Sequence, residues 1–351
     1  MEKQEVIISH QLEQALSEAM AACKADRAFV LTDENTQRMC LPVVSKFKCM
    51  EGVQCITIPA DDTHKNLESL CHVWSELQRM GATRHSLMVN LGGGMVTDLG
   101  GFAASTFKRG IAYINIPTTL LSMIDASVGG KTGINFGGLK NEIGVFNNAR
   151  CVILDTTFLK TLDRENTLSG YAEMLKHGLI STESHWAELL NFDLFSAPLS
   201  DLLAESVAVK ERIVEEDPTE RGIRKALNLG HTIGHAFESL CLSGSNPRLS
   251  PVLHGYAVAY GLVCELYLSA IKANFPIEKM RQTVHFIHEH YGRLPIICDD
   301  YPTLLELMTH DKKNMGTDIN FTLLGGIGDI RINQTATKAE IEEALDFYRE
   351  G

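Results

Sequence analysis

The sequence lacks several features that would assign it to a specialised class of protein. Its 9 cysteines are scattered over 351 residues and no two form a Cys-x-x-Cys pair, so a thiolate zinc site is not predicted. Cysteines in this odd-numbered, dispersed pattern indicate buried thiols in a reducing compartment. The opening "MEKQEVIISH" has no apolar signal core, and no apolar run approaches the ~20 residues of a membrane span. We therefore expect a cytoplasmic protein without a membrane partner.

Positive charge is also scarce. The chain has 32 lysines and arginines against 44 aspartates and glutamates, which gives a formal net charge of -12 at pH 7. This balance argues against a nucleic-acid partner, because nucleic-acid binding requires a basic face. It leaves room for an anionic small substrate, since a local cluster of lysine and arginine can oppose the overall sign.

The first part of the chain alternates short apolar runs with helical patterns. Strands are predicted at 27–33, 53–59, 85–94 and 111–119, with a helix at 65–81. Strand and helix in alternation predict a mainly parallel sheet with right-handed crossovers. Ligands of such sheets lie at the carboxyl ends of the strands.

Helical periodicity dominates after about residue 157. The pattern predicts a late hairpin or strand at 319–330 and helices at 169–180, 198–217, 227–240, 254–273 and 280–292. The expected fold class is α/β plus all-α. A Rossmann-like, mainly parallel sheet domain over 1–157 precedes a helical domain over 158–351, with the site in the cleft between them.

Two glycine-rich stretches indicate anion binding. "NLGGGMVTDLGG" follows a predicted strand and opens a helix, the context in which backbone N–H groups hold a phosphate. The alternative is a tight turn that needs positive φ. "DASVGGKTGIN" is not a P-loop, because Asp125 stands where a P-loop needs glycine. Lys131 is either a solvated surface lysine or a charge for an anion. Asp125, Lys140 and Asn141 in the same loop-rich stretch favour the second reading.

The stretch "NLGHTIGHAFE" places His231 and His235 on one face of a helix, a spacing found in metal sites. Thr232 stands where the zinc-protease motif has glutamate, so protease chemistry is not predicted. One histidine of this helix, His254 at the start of another helix and the carboxylate of Glu173 on a third would hold zinc with one position open. The alternative is a packed helix whose glycines, Gly230 and Gly234, allow close helix contact.

Taken together, these stretches resemble the 3-dehydroquinate synthase family, nearly from end to end. The motifs that carry the resemblance are "GGGMVTDLGGFAASTFKRG", "IPTTLLSMIDASVGGKTGIN", "GYAEMLKHG", "LNLGHTIGHAFE", "LHGYAVAYG" and "DKKN". The resemblance implies an NAD-binding α/β domain and a helical metal domain. It also implies conversion of 3-deoxy-D-arabino-heptulosonate 7-phosphate to 3-dehydroquinate and phosphate in the shikimate pathway. Zinc or cobalt and NAD are then required, and NAD is regenerated through oxidation, phosphate loss, re-reduction and aldol closure.

The resemblance also assigns residues. The metal ligands would be Glu173, His231 and His254, with His235 handling a proton beside them. The substrate pocket would contain Lys131, Asn141, Lys176, Lys210, Arg224, Asn228 and a lysine of "DKKN", Lys312 or Lys313. Arg109 matches an arginine that reaches the phosphate from a neighbouring subunit, which implies a homodimer.

The NAD positions implied by the resemblance lie in the first domain and just after it. They are Asp33, Asn35, Asp62, Lys65, Gly93, Gly94, Asp98, Thr118, Thr119, Asp125, Lys140, Phe158 and Thr161. One of them departs from the family pattern, because Asp62 stands where the family usually has glutamate. The shorter carboxylate is expected to weaken NAD binding without altering the chemistry.

Three other functions compete with this interpretation. Related sugar-phosphate cyclases make deoxy-inosose or valiolone compounds, but Lys210, Arg224, Asn228 and His235 match the dehydroquinate pattern. A glycerol-dehydrogenase-like oxidoreductase would release NADH and would not need so many cations. A non-catalytic NAD-binding regulator would have no physical need for the intact charged residues.

Overall fold

The computed structural model of the protein describes residues 4–137, 139–244, 246–309 and 319–351. The chain divides into two compact units, Met1–Asp163 and Arg164–Gly351. The division therefore falls a few residues after the predicted boundary at residue 157.

The first unit contains a parallel sheet of six strands flanked by helices. The strands lie in the order β1-β8-β5-β4-β2-β3. Their bounds are β1 (Glu5–Ser9), β2 (Ala28–Asp33), β3 (Gln54–Ile58), β4 (Leu87–Gly92), β5 (Ala112–Pro117) and β8 (Cys151–Asp155). A separate antiparallel hairpin is formed by β6 (Lys131–Phe136) and β7 (Leu139–Phe146). The helices are α1 (Leu12–Cys23), α2 (Glu34–Met39), α3 (Leu41–Val44), α4 (Leu67–Arg79) and α5 (Gly94–Thr106).

The predicted parallel sheet is confirmed, and the four predicted strands correspond to β2, β3, β4 and β5. The strands β1 and β8, which pair with each other, were not predicted. Each strand has only five residues. Neither shows the regular alternation of apolar and polar residues that would mark a strand in the sequence. The loop-rich assignment of Lys131, Lys140 and Asn141 is wrong, because these residues lie in the β6–β7 hairpin.

The sheet core explains why its strands read as apolar runs. Leu31, Val89, Ile114 and Ile153 lie on four different strands, and all are fully buried. Parallel strands covered on both faces by helices need apolar side chains on both faces. This burial fixes the carboxyl ends of the strands, where the predicted NAD residues lie.

In its described residues, the second unit consists of helices and one antiparallel hairpin. The helices are α6 (Arg164–Leu179), α7 (Glu183–Asn191), α8 (Ser200–Glu216), α9 (His231–Leu242), α10 (His254–Ala273), α11 (Ile277–Tyr291), α12 (Tyr301–Thr309) and α13 (Lys338–Glu350). The hairpin is formed by β9 (Asn320–Gly326) and β10 (Asp329–Thr335). The predicted helices correspond to α6, α8, α9, α10 and α11, and the predicted late hairpin is also present.

Helix α10 is the central helix of this unit. It packs against α6, α9, α11, α13 and β9. Most of its residues are buried, as expected for a helix that is apolar around its circumference. None of the described helices has the length and apolarity to span a membrane.

The cysteines differ in part from the expectation of buried thiols. All nine are free. The thiols of Cys40, Cys151, Cys241 and Cys264 are buried, whereas Cys71 and Cys298 are exposed. The expectation of burial was therefore wrong for these two exposed residues.

Candidate functional site

The glycine-rich loop joins β4 to α5 at the carboxyl edge of the sheet. The expected alternative, a turn with positive φ, is wrong, because Gly93 has φ -73°. Close approach explains the glycines instead. A Cβ on Gly93 would lie 3.0 Å from Cγ2 of Thr119, and one on Gly94 would lie 3.1 Å from Cβ of Ala126. The N-cap residue of α5 is Gly93, which has no side chain to cap the helix, so the first N–H groups of α5 suit an anion.

The buried side chain of Lys65 connects two other predicted site residues near this edge of the sheet. The Nζ atom of Lys65 donates to Oδ2 of Asp98 and to Oδ1 of Asn141, each at 2.5 Å. Burial raises the pKa of Asp98, and the Lys65 ammonium opposes that rise. The structure therefore brings together two predicted NAD residues and one predicted substrate residue.

Other predicted NAD residues lie around this cluster. The carboxylate of Asp62 pairs with Nζ of Lys140 at 3.3 Å and accepts from the side chain of Asn135 at 3.3 Å. The N–H of Thr118 donates to the carbonyl of Gly92 at 3.0 Å, which ties the end of β5 to the end of β4. Asp125 is half-buried in a π-helical turn, Ser122–Ala126.

Four other predicted NAD residues lie in the segments that directly follow β2 and β8. Asp33 ends β2 and caps α2, and Asn35 is exposed on α2. Phe158 is buried and Thr161 is exposed in the 3₁₀ turn that follows β8. The buried thiol of Cys40 lies near the Asp33 carboxylate and the Thr161 hydroxyl. Burial raises the pKa of this thiol to about 11.

Arg109 lies in a strained segment of backbone on the first unit. It is exposed, and its φ of 68° is in the left-handed region, as is the φ of 49° at Lys108. Consecutive non-glycine residues in this region cost free energy and are typical of functional segments. Lys131 is also exposed, at the first position of β6.

Three side chains of the second unit converge as expected for a metal site. Oε1 of Glu173, on α6, lies 3.3 Å from Nε2 of His231 and 3.7 Å from Nε2 of His254. Ligands at about 2.1 Å from a tetrahedral cation lie about 3.4 Å from each other. The two histidines begin α9 and α10, so the trio comes from three different helices.

Neighbouring oxygens orient both imidazole rings. Nδ1 of His231 lies 3.1 Å from the carbonyl oxygen of Leu229, and Nδ1 of His254 lies 3.3 Å from Oε2 of Glu238. These contacts leave each Nε2 directed at Glu173. A hydrogen bond to the other ring nitrogen is the usual support of a metal-binding histidine. The sequence analysis did not predict this support of His254 by Glu238.

Burial and charge set the protonation of the trio. Burial lowers the pKa of His231 to about 4, so its ring is neutral near pH 7, the form that binds metal. Burial also disfavours a charged His254, but the carboxylates of Glu238 and Glu173 outweigh it and raise that pKa to about 10. Burial likewise opposes ionisation of Glu173, yet the Lys176 ammonium and His231 hold its pKa well below the usual value.

The Glu173 carboxylate is the observation that best fits a cation. It is fully buried, and neither oxygen accepts a hydrogen bond of good geometry from the described residues. Lys176 nevertheless forms an ion pair with Oε2. An ionised buried carboxylate is costly without compensation, and a divalent cation at Oε1 would supply it. Two imidazole nitrogens and a carboxylate oxygen are a donor set suited to zinc or cobalt.

A second grouping of possible ligands consists of His231, His235 and His254, with nitrogens within 4.8 Å of one another. The ring centroid of His235 lies 5.3 Å from that of His231 and 5.8 Å from that of His254. We favour the set with Glu173, because the separations of its Oε1 from the two Nε2 atoms are close to those of tetrahedral ligands and because this buried oxygen accepts no hydrogen bond of good geometry from the described residues. His235 is then a half-buried neighbour that can exchange a proton beside the cation.

Replacing Glu238 with glutamine is expected to weaken binding of a divalent cation by about 10–100-fold. The neutral amide would orient His254 less strongly than the carboxylate that now faces Nδ1 at 3.3 Å. Zinc titration against a competing chelator measures the change. The matched control is Glu289→Gln on the exposed face of α11, which should bind zinc as wild type does. Equal affinities in the two variants would contradict this role for Glu238.

The predicted cations of the second unit are deeply buried. Lys176, Lys210 and Arg224 are 1%, 5% and 1% exposed, respectively, far below what lysine and arginine usually show. Nη1 of Arg224 donates to the carbonyl of Pro218 at 2.7 Å. Buried positive charges of this kind favour an anionic ligand.

Two further substrate residues were predicted, Asn228 and Lys312. The side chain of Asn228 donates to Oε1 of Glu220 at 2.8 Å, a partner that sequence reasoning missed. Lys312 and its alternative, Lys313, lie outside the described residues.

Two protein-family models match adjacent segments of the chain. Residues 55–169 match the family model described as 3-dehydroquinate synthase N-terminal. Residues 170–314 match the model described as 3-dehydroquinate synthase C-terminal. Among curated proteins, a 3-dehydroquinate synthase from Parabacteroides distasonis is 55% identical, and the match covers 100% of this chain and 99% of that protein.

Two solved structures share the fold. A 2-epi-5-epi-valiolone synthase from Streptomyces hygroscopicus subsp. jinggangensis 5008, with NAD⁺ and Zn²⁺ bound, superposes with a TM-score of 0.86 at 24% identity. That match covers 100% of this chain and 98% of the other. A 2-deoxy-scyllo-inosose synthase complexed with carbaglucose-6-phosphate, NAD⁺ and Co²⁺ has a TM-score of 0.82 at 21% identity. That match covers 99% of this chain and 96% of the synthase chain. At these identities the two structures establish the fold alone.

Proposed function

The chain belongs to the 3-dehydroquinate synthase family, and from this premise we propose the reaction and the residues that perform it. The protein converts 3-deoxy-D-arabino-heptulosonate 7-phosphate to 3-dehydroquinate and phosphate, with NAD and a divalent zinc or cobalt ion. The buried Glu173 carboxylate, facing Nε2 of both His231 and His254, is the observation that carries the proposal.

We propose that NAD binds at the carboxyl edge of the parallel sheet. The support is the N-terminus of α5, which begins at Gly93 and Gly94 without a capping side chain of its own and whose backbone N–H groups can receive a pyrophosphate. Asp98 of α5 also holds the Lys65 ammonium in a fixed position, through an ion pair of 2.5 Å. The proposed nucleotide contacts are Asp33, Asn35, Asp62, Lys65, Gly93, Gly94, Asp98, Thr118, Thr119, Asp125, Lys140, Phe158 and Thr161.

When bound, the cation supplies Lewis acidity at a substrate hydroxyl and NAD supplies a hydride acceptor. The chain's own residues bind the substrate and move protons. Glu173, His231 and His254 hold the cation. His235 lies beside both histidines at ring separations of 5.3 and 5.8 Å, and it can exchange the hydroxyl proton.

Substrate positioning is the second task of the protein residues. Lys176, Lys210 and Arg224 are buried cations that we assign to the anionic groups of the sugar phosphate. We assign Lys131, Asn141, Asn228 and Lys312 to its remaining contacts, as the family resemblance implies. Holding a flexible polyanion in one reactive conformation can lower a barrier by about 7–11 kcal/mol. Because the cations are local, this task is compatible with a net charge of -12.

The substrate assignment is tested by comparing two sugar phosphates. The metal-loaded protein should release phosphate from 3-deoxy-D-arabino-heptulosonate 7-phosphate and leave glucose 6-phosphate unchanged, in each case with NAD present. A chelator should stop the first reaction, and added zinc should restore it. Phosphate release from glucose 6-phosphate alone would favour an inosose-forming function instead.

We also propose that the protein acts as a homodimer in which Arg109 serves the partner's site. Arg109 is exposed, so a second copy of the chain can reach its side chain, and its strained backbone is typical of functional segments. Strand β7 pairs only with β6 among the described strands and exposes Leu139, Ile143 and Phe146. An exposed apolar edge strand is a suitable surface for a second copy. Cytoplasmic location and the lack of a nucleic-acid partner stay predictions from the sequence.

Mixing two inactive variants, Arg109→Ala and Lys176→Ala, is expected to restore about a quarter of wild-type activity. Random exchange puts about half of the dimers in mixed form, and one of the two sites in each is then intact. Mass spectrometry of differently tagged subunits verifies the exchange, and each variant mixed with itself is the control. Full exchange without recovery would place Arg109 in its own subunit's site or in none.

A further inference from the structure

Helix α9, which carries His231 and His235, begins without a capping side chain of its own. Its N-cap residue is Gly230, at φ 80°. A Cβ at this position would lie 2.8 Å from Cγ of Leu262 and 3.0 Å from the carbonyl oxygen of Val258. The serine, threonine or aspartate that usually caps a helix therefore does not fit here.

A carboxylate from α10 occupies the place of that cap. Glu265 is fully buried. Its Oε2 accepts the N–H of Gly230 at 2.6 Å, and its Oε1 accepts the N–H of Ile233 at 3.1 Å. In an ordinary capping box, two different side chains near the helix start satisfy these N-cap and N3 donors. A single side chain from a neighbouring helix satisfies both here.

Close packing of the two helices makes this contact possible. A Cβ on Gly261 would lie 2.0 Å from the carbonyl oxygen of Gly230 and 2.6 Å from the nitrogen of Gly234. A Cβ on Gly234 would lie 2.7 Å from the carbonyl oxygen of Ala257. The glycines thus allow backbone contact between α9 and α10. The close helix contact that the sequence analysis gave as the alternative to a metal site is therefore confirmed. It is present together with the metal-site geometry, so the two interpretations do not exclude each other.

The contacts also give the direction of the two helices. Glu265 meets the first turn of α9, whereas His254, at the start of α10, meets Glu238 two turns further along α9. The helices therefore run antiparallel, and each provides a carboxylate near the N-terminus of the other. One carboxylate supports His254 directly, and the other binds the backbone that flanks His231.

We propose that Glu265 is a positioning residue for the metal site. By binding the N–H groups on both sides of His231, it holds the first turn of α9 so that Nε2 of His231 stays 3.3 Å from Oε1 of Glu173. A buried carboxylate is suited to this task, because the helix N-terminus carries partial positive charge. The proposal rests on the metal-dependent function above, and it adds a residue that touches neither metal nor substrate.

Glu265→Gln tests the proposal with little change in side-chain volume. The amide can accept only one of the two backbone hydrogen bonds, and its NH₂ group would face the other donor. We expect zinc affinity, measured by chelator competition, to fall about 10–100-fold, as for other supports of metal ligands. At saturating zinc, KM for the sugar phosphate should be unchanged, because both carboxylate oxygens of Glu265 bind backbone N–H groups of α9 and Glu265 is not among the proposed substrate contacts.

The matched control is Thr337→Ala, which removes a cap from α13. The Thr337 side chain accepts the N–H of Glu340 at 3.3 Å, so its loss should also lower the melting temperature. It should leave zinc affinity unchanged. If Glu265→Gln lowers the melting temperature like the control but binds zinc as tightly as wild type, Glu265 stabilises the fold only and the proposal is wrong.

Wild-type protein provides a second test, in case Glu265→Gln does not fold. In the metal-free protein, the amides of Gly230 and Ile233 should exchange hydrogen as slowly as those in the middle of α10. Exchange at the rate of exposed backbone would overturn the proposal. If the wild-type protein binds no zinc in the same titration, the proposed metal function fails, while the exchange measurement still decides whether Glu265 holds the first turn of α9.

Discussion

Replacing His254 with alanine is expected to abolish zinc binding and turnover together. The variant loses one of three ligands and leaves the buried Glu173 carboxylate with His231 alone on that side. A cation held by two protein groups binds far more weakly, and its Lewis acidity accounts for several kcal/mol of barrier reduction. We expect activity to fall by at least about 10³-fold, since each 1.36 kcal/mol corresponds to a factor of ten. Metal analysis of the purified protein and a phosphate-release assay measure both effects.

The matched control is His285→Ala on α11. His285 is 84% exposed, so its removal should preserve both zinc content and activity. Circular dichroism should show that the two variants are equally folded. An active, metal-free His254→Ala protein would disprove the assignment of His254 as a ligand.

Gly255→Ala is expected to destabilise the second unit and to disturb the same site from outside it. A Cβ at Gly255 would lie 1.8 Å from the carbonyl oxygen of Ser169, on the helix that carries Glu173. The N–H of Gly255 also donates to Oγ of Ser169 at 3.1 Å. Alanine therefore forces α10 away from α6 and separates His254 from Glu173.

The overpacking should outweigh the roughly 1 kcal/mol by which alanine favours a helix over glycine. We expect a net destabilisation of about 3 kcal/mol, which corresponds to a melting temperature lower by roughly 6–12 °C for a unit of this size. Differential scanning calorimetry and zinc titration measure the two consequences. Gly326→Ala is the control, because a Cβ built there would have no atom of the described residues within 4 Å apart from its own chain neighbours. Wild-type stability and zinc affinity in Gly255→Ala would contradict the close packing of α6 and α10.

The sequence was most informative where one local pattern determines the structure. The apolar runs predicted β2 to β5, and the glycine-rich stretch marked the β4–α5 junction at the edge of the sheet. The His231–His235 spacing and the position of His254 at a helix start were also confirmed. These features depend on periodicity and on short-range spacing, which a single sequence records directly.

Contacts between distant segments were much harder to predict. Glu265 looks like an ordinary charged residue in an apolar helix, and only the antiparallel packing of α9 and α10 directs it at Gly230 and Ile233. The support of His254 by Glu238 depends on the same packing. The β6–β7 hairpin was missed because its glycines and polar residues obscure the alternation expected of strands. Side-chain roles across helices follow from tertiary packing, which local propensity does not encode.

The proposed site runs a closed redox cycle on a sugar phosphate. The most direct measurement follows phosphate, 3-dehydroquinate and NADH absorbance in one reaction of the zinc-loaded protein with NAD and 3-deoxy-D-arabino-heptulosonate 7-phosphate. We predict equal amounts of phosphate and 3-dehydroquinate, in excess over NAD, without accumulation of NADH. Accumulation of NADH in proportion to substrate consumed, without phosphate release, would contradict the account and identify a dehydrogenase.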